Sequence, residues 1–125
     1  MLDHISFGVD DVQKAAAFYD AVLQPLGYSR QMEAGEYIAY GSKYPNFWLG
    51  PAGDDGAGDR RPGFHLALQA PNRAAVDAFY QAAMDNGATD DGKPGLRPEY
   101  TDTYYAAFVI DPDGYKIEAV TYVPE

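Results

Sequence analysis

Two short stretches of the chain alternate apolar and polar residues in the same phase, and each carries one of the only two histidines. In residues 2–9, LDHISFGV, the side chains of Ile5, Phe7 and Val9 fall on one face of a strand, and His4, Ser6 and Gly8 on the other. In residues 63–70, GFHLALQA, Phe64, Leu66 and Leu68 share one face, leaving His65, Ala67 and Gln69 opposite. After the first stretch, Asp10 or Asp11 is placed to cap a helix over 12–26 whose apolar stripe includes Ala15, Tyr19, Val22 and Leu26, with Gly27 as its stop. Residues 28–33 and 37–41 read as a hairpin and 46–50 as a short strand. The second stretch is followed by Asn72 as cap, a helix over 73–86 and Gly87 as stop. A weak strand over 89–93 and an irregular run over 94–103 come next. The chain then forms a hairpin from 104–110 and 115–122, turning at Asp111-Pro112-Asp113-Gly114.

The two halves repeat each other. His4 and His65 are 61 positions apart, as are the pairs Phe18-Tyr19 and Phe79-Tyr80, while the helix stops Gly27 and Gly87 are 60 apart. The chain therefore reads as two copies of one βαβββ module, an α+β fold in which the modules form a curled mixed sheet around a cavity. Residues 1–125 are expected to be one domain made of module 1 (1–50), a connector (51–62) and module 2 (63–125). The connector, rich in Gly and Asp, has too little apolar content to pack; it reads as an exposed link, with a lid as the alternative.

Composition narrows the function. The absence of cysteine excludes thiol nucleophiles, thiolate metal sites and a disulfide scaffold, so any metal ligand must be His, Asp or Glu. Nineteen acidic against nine basic residues give a net charge of −10, which argues against nucleic acid as a partner. No apolar run is long enough for a membrane span and no signal peptide is evident, so a cytoplasmic protein with no membrane partner is expected.

The repeat also selects a site. Matching the last strand of each module sets Asn46-Phe47-Trp48-Leu49 against Lys116-Ile117-Glu118-Ala119, so that Trp48 and Glu118 correspond. Ile117 and Ala119 belong to the core side, which leaves Glu118 on the face of the histidines. His4, His65 and Glu118 then make a set of two imidazoles and one carboxylate, suited to a divalent metal ion (Fe, Mn, Zn, Ni or Co) with positions open to water or substrate. A carboxylate turned away from water needs a cation or a hydrogen-bonded partner. Ser6, Gln69, Tyr104 and Phe108 alternate onto the same faces and, with Trp48, are expected to shape a substrate pocket. No general base stands out beyond Tyr40 and Tyr100.

These features resemble the vicinal oxygen chelate superfamily, which includes glyoxalase I, fosfomycin-resistance transferases, extradiol dioxygenases and bleomycin-resistance proteins. The motifs are the opening LDHISFGVDD, the helix end FYDAVLQPLGY, the second histidine in GFHLAL and DPDGYKIE near residue 118, and the resemblance spans essentially the whole chain. By similarity, His4, His65 and Glu118 match three metal-ligand positions. Trp48 stands where glyoxalase I carries a fourth, glutamate ligand, and because indole neither ligates a metal nor takes a proton, this argues against glyoxalase I activity itself. The resemblance implies a glyoxalase-like, metal-dependent enzyme of lyase/isomerase, transferase or dioxygenase type, acting on a small oxygen-rich metabolite chelated to the metal. The alternative is a bleomycin-resistance-type binding protein that sequesters an aromatic small molecule without catalysis. In this superfamily the facing modules belong either to one chain or to two, and a homodimer is the expectation.

Overall fold

The computed structural model describes residues 1–53 and 63–125. Residues 54–62 of the expected connector, and with them its reading as a link or lid, lie outside the described residues. Strand β1 (Ile5–Val9) leads into helix α1 (Val12–Leu23) and a 3-10 turn (Gln24–Leu26), followed by β2 (Ser29–Ala34), β3 (Tyr37–Gly41) and β4 (Phe47–Pro51). Module 2 repeats the plan with β5 (Leu66–Gln69), α2 (Arg73–Asp85), β6 (Thr89–Leu96), β7 (Tyr105–Ile110) and β8 (Lys116–Thr121). No described helix is long and apolar enough to cross a membrane.

Both helices start where expected. Asp11 accepts the backbone N–H of Lys14 and Asn72 that of Ala75, each satisfying one of the donors a helix N-terminus leaves unpaired. They end at Gly27 and Gly87, with φ of 90° and 95°, a left-handed conformation open to glycine at little cost. The α-helical hydrogen bonding of α1 stops three residues before its sequence boundary. Pro25 has no backbone N–H to donate, and the chain tightens into the 3-10 turn. Strand β6 runs three residues past its expected end, through Pro94 to Leu96, because irregular register at Asp90, Gly92 and Gly95 lets it bend and still pair with β7.

The eight strands form two open four-stranded sheets, with orders β1-β4-β3-β2 (sheet A) and β5-β8-β7-β6 (sheet B). In each, the first strand pairs parallel to the fourth and occupies an edge. Helices α1 and α2 pack on each other and each on its own sheet. One apolar cluster spans both modules. Phe7 sits where they meet, stacked on Tyr115 at 4.1 Å and edge-on to Phe64 at 5.4 Å and Phe47 at 4.8 Å. The inward faces follow the alternation: Phe7 and Val9 are buried while Ser6 is exposed.

The Asp111–Gly114 turn fastens module 2 to module 1. The buried Tyr19 hydroxyl donates to Asp111 Oδ2, whose other oxygen accepts the N–H groups of Asp113 and Tyr115. Tyr115 in turn donates to Gly8 O at 2.8 Å, and the Asp10 N–H donates to Asp113 at 3.1 Å. Burial holds the Asp111 carboxyl above its ordinary value of 3.8, against the opposing pull of the Tyr19 hydrogen bond. The folded chain therefore keeps this proton more tightly than the unfolded chain does. The contribution favours folding in acid and is lost as pH rises from 3.8 through the folded titration. Urea unfolding of Asp111→Asn at a series of pH values is expected to lack this decline. Tyr19→Phe, which leaves Asp111 one donor short, is expected to lose about 1–3 kcal/mol in the same assay.

Candidate functional site

The register confirms the internal match between the modules' last strands. Ser6, two residues after His4, pairs with Trp48, and Ala67, two residues after His65, pairs with Glu118. Each histidine lies one residue before its strand starts, so the strands are shorter than the alternating stretches and the histidines stand at their mouths.

In module 2 two of the three candidate ligands meet. His65 Nε2 lies 2.7 Å from Glu118 Oε1, and the Tyr104 hydroxyl donates to Glu118 Oε2. Glu118 is 1% exposed although it stands on the sheet face turned away from the helix, while His65 remains 43% exposed. The buried carboxylate thus has a partner on each oxygen, as a charge removed from water requires. Burial, and after it the hydrogen bond to Glu118, pushes the Tyr104 phenol well above its ordinary value of 10.0, so it keeps its proton and donates a hydrogen bond to Glu118. Phe108 is paired directly with Glu118 across β7 and β8, and its ring lies 6.0 Å from that of His65. Tyr104 and Phe108 are therefore both at this centre.

His4 is elsewhere. Its side chain is 54% exposed and its Nδ1 lies 2.7 Å from Asp3. It lines a cavity of about 270 Å³ between the modules, together with Gln69 and the apolar side chains of Ile5, Tyr28, Phe47 and Leu66, a wall to which His65 and Glu118 do not belong. Among the described residues no three His, Asp or Glu side chains converge to hold a metal. Ser6 is exposed, and Trp48 is half-buried with its indole N–H donated to Pro45 O at 3.0 Å. Of the two tyrosines considered as bases, Tyr40 is buried in module 1, where its hydroxyl donates to Ala16 O and Asp20, and burial pushes its phenol up. Tyr100 is exposed and packs edge-on to Tyr104 at 5.0 Å.

The donor chemistry fits a divalent ion in part. An imidazole nitrogen and a carboxylate oxygen converge from neighbouring segments of sheet B, and these two groups would be the ones to hold an ion here. One chain supplies two donors.

Sequence reasoning found His65, Glu118, Tyr104 and Phe108 but missed the fastening of Tyr104 to Glu118. Strand alternation ends at a chain bend before Tyr105 and says nothing of which way a side chain leans along the sheet.

Tandem βαβββ modules with matched histidine strands and a His–Glu couple on one open sheet face define a class of paired-module α+β proteins. The chain belongs to the Glyoxalase/Bleomycin resistance protein/Dioxygenase superfamily, whose family model matches residues 1–119. Among solved structures it is similar to a glyoxalase/bleomycin resistance protein from Albidiferax ferrireducens T118, with 30% identity over 94% of this chain and 95% of that one and a TM-score of 0.83. It shares its fold with a glyoxalase/bleomycin resistance protein/dioxygenase family enzyme from Burkholderia phytofirmans PsJN, at 17% identity, 98% coverage of each chain and a TM-score of 0.75. The fold also matches the fosfomycin resistance protein FosX from Mesorhizobium loti, at 17% identity over 97% of this chain and 91% of that one, with a TM-score of 0.68. No curated protein matches the sequence.

Proposed function

We propose that this protein is a cytoplasmic, homodimeric, divalent-metal-dependent enzyme that acts on a small oxygen-rich molecule, with 1–125 as one domain. His65 and Glu118 of one chain hold the ion together with His4 of a second copy. The observation that carries this reading is the convergence of His65 and Glu118 at 2.7 Å, with the carboxylate buried and His65 still open to solvent on one side. The exposed His4 precedes an edge strand by one residue, and reaching a neighbouring copy would exchange its contact with Asp3 for the ion. Family membership supports a metal, since members commonly use divalent ions. When bound, the ion would supply electrophilic stabilisation of an anion forming on substrate oxygens. The chain's own residues hold and orient: Tyr104 fixes the second oxygen of Glu118 and leaves the first for the ion. Ser6, Trp48, Gln69 and Phe108 would border the substrate once two copies face each other.

The sequestering alternative shares the fold and differs in the metal. Cobalt(II) added to metal-free protein is expected to bind at about one ion per chain, and His65→Ala or Glu118→Ala to weaken that binding at least about 100-fold. Wild-type protein that takes up no stoichiometric ion under replete conditions would leave the sequestering reading in place.

A further inference from the structure

The face that carries His65 and Glu118 has different chemistry at its two ends. Toward the start of β8, the Phe108 ring gathers cations: Arg97 Cζ lies 5.4 Å from its centre and Lys116 Nζ 5.5 Å. Lys116 has a carboxylate partner, Asp91, at 3.4 Å. Arg97 has neutral ones. Its Nη1 donates to Gly95 O at 2.8 Å and its Nη2 to Lys93 O at 2.7 Å, and no carboxylate bonds it among the described residues. The fold makes room for this guanidinium. A Cβ at Gly92 would stand 3.3 Å from Nη2, and one at Gly95 3.2 Å from Nη1, both closer than ordinary contact. In a chain of net charge −10, this positive fork is held by backbone carbonyls of β6, with no carboxylate bonded to it among the described residues. A planar, pre-oriented guanidinium in that state is matched to a carboxylate, phosphate or phosphonate.

The other end is aromatic. Tyr104, its hydroxyl committed to Glu118, packs edge-on to Tyr100 at 5.0 Å and to Tyr122 at 5.2 Å. Tyr100 is 61% and Tyr122 51% exposed, so both present ring surface to solvent beside the buried carboxylate. Rings held this way accept another aromatic group edge-on or offset-stacked.

We propose that this centre takes small aryl anions, with the negative group toward Arg97 and the ring toward Tyr100 and Tyr122. The assignment rests on the proposed function only in taking His65 and Glu118 as the middle of the site; it names the class of substrate. Arg97 and the two tyrosines are specificity-determining residues.

Calorimetric titration of the full, metal-free chain with phenylphosphonate, methylphosphonate and benzyl alcohol tests it. Phenylphosphonate is expected to bind at least about tenfold tighter than either of the others. Arg97→Gln should lower phenylphosphonate affinity about tenfold and leave benzyl alcohol unchanged, while Tyr100→Ala with Tyr122→Ala should bring phenylphosphonate down to the level of methylphosphonate. Tyr100→Phe with Tyr122→Phe keeps the rings and should keep the preference, which separates loss of aromatic contact from loss of fold. Three equal affinities, or wild-type binding of phenylphosphonate by Arg97→Gln, would overturn the inference. Cobalt(II) uptake by the same samples separates the two readings. Protein that binds the ion but treats the three probes alike retains the metal and loses the aryl-anion assignment; protein that prefers phenylphosphonate but takes up no ion does the reverse.

Discussion

A mixture of equal parts His4→Ala and His65→Ala protein, unfolded and refolded together, is expected to regain about a quarter of the wild-type metal sites, although each variant alone has lost them. The arithmetic follows from two-fold assembly: half of the dimers formed at random are mixed, and each mixed dimer contains one site with every ligand intact and one with both histidines missing. The visible absorption of bound cobalt(II) reports the recovery, and native mass spectrometry confirms that mixed dimers are present. The structure motivates the design because His65 and Glu118 meet within one chain while His4 lines a separate cavity. Mixed dimers without any recovered site would sink the shared-site reading, since two variants whose ligands all belong to one chain cannot repair each other.

The second large effect is on stability. Phe7→Ala is expected to cost about 3–5 kcal/mol in urea unfolding, a large share of the roughly 5–15 kcal/mol that holds a domain together. Phe7 is 1% exposed and touches four aromatic rings, two of them, Phe64 and Tyr115, in the other module. Truncation leaves a cavity between modules whose backbones are fixed by Asp111 and Tyr115, so the space has little freedom to collapse. Phe7→Leu refills much of that volume and should cost less than about 1.5 kcal/mol. A loss under about 1 kcal/mol for Phe7→Ala would mean that the module seam contributes little to folding.

Much of this organisation was legible in the residues. Asp11, Asn72, Gly27 and Gly87 punctuate the helices through local geometry, which acts over a few residues and so can be read from a few residues. The repeat fixed the correspondence of Trp48 with Glu118, and the strand register agrees because the parallel pairing of first and last strands is the same in both modules. Alternation placed His4 and His65 away from the core, but it carries no information on which sheet faces which. That is decided by Phe7 packing on Phe64 and Tyr115 and by α1 lying on α2, contacts made across most of the chain's length. Arg97 could be picked out as a candidate anion grip, with a surface role as the alternative, but where its side chain lies was equally hidden. Its placement depends on bends at Gly92 and Gly95 that lengthen β6, whereas Pro94 in the sequence argues for ending the strand.

The turn that ties the modules has a bearing on how the chain acquires its shape. Tyr19 finds Asp111 across 92 positions and Gly8 finds Tyr115 across 107. During synthesis, sheet A has all its strands once residue 51 has emerged, yet the side of Phe7 that later stacks on Tyr115 must wait for more than sixty further residues. Through that interval an aromatic ring on an edge strand stays open to other nascent chains. Folding of this protein should therefore be most prone to misassociation between completion of its first half and arrival of the Asp111 turn.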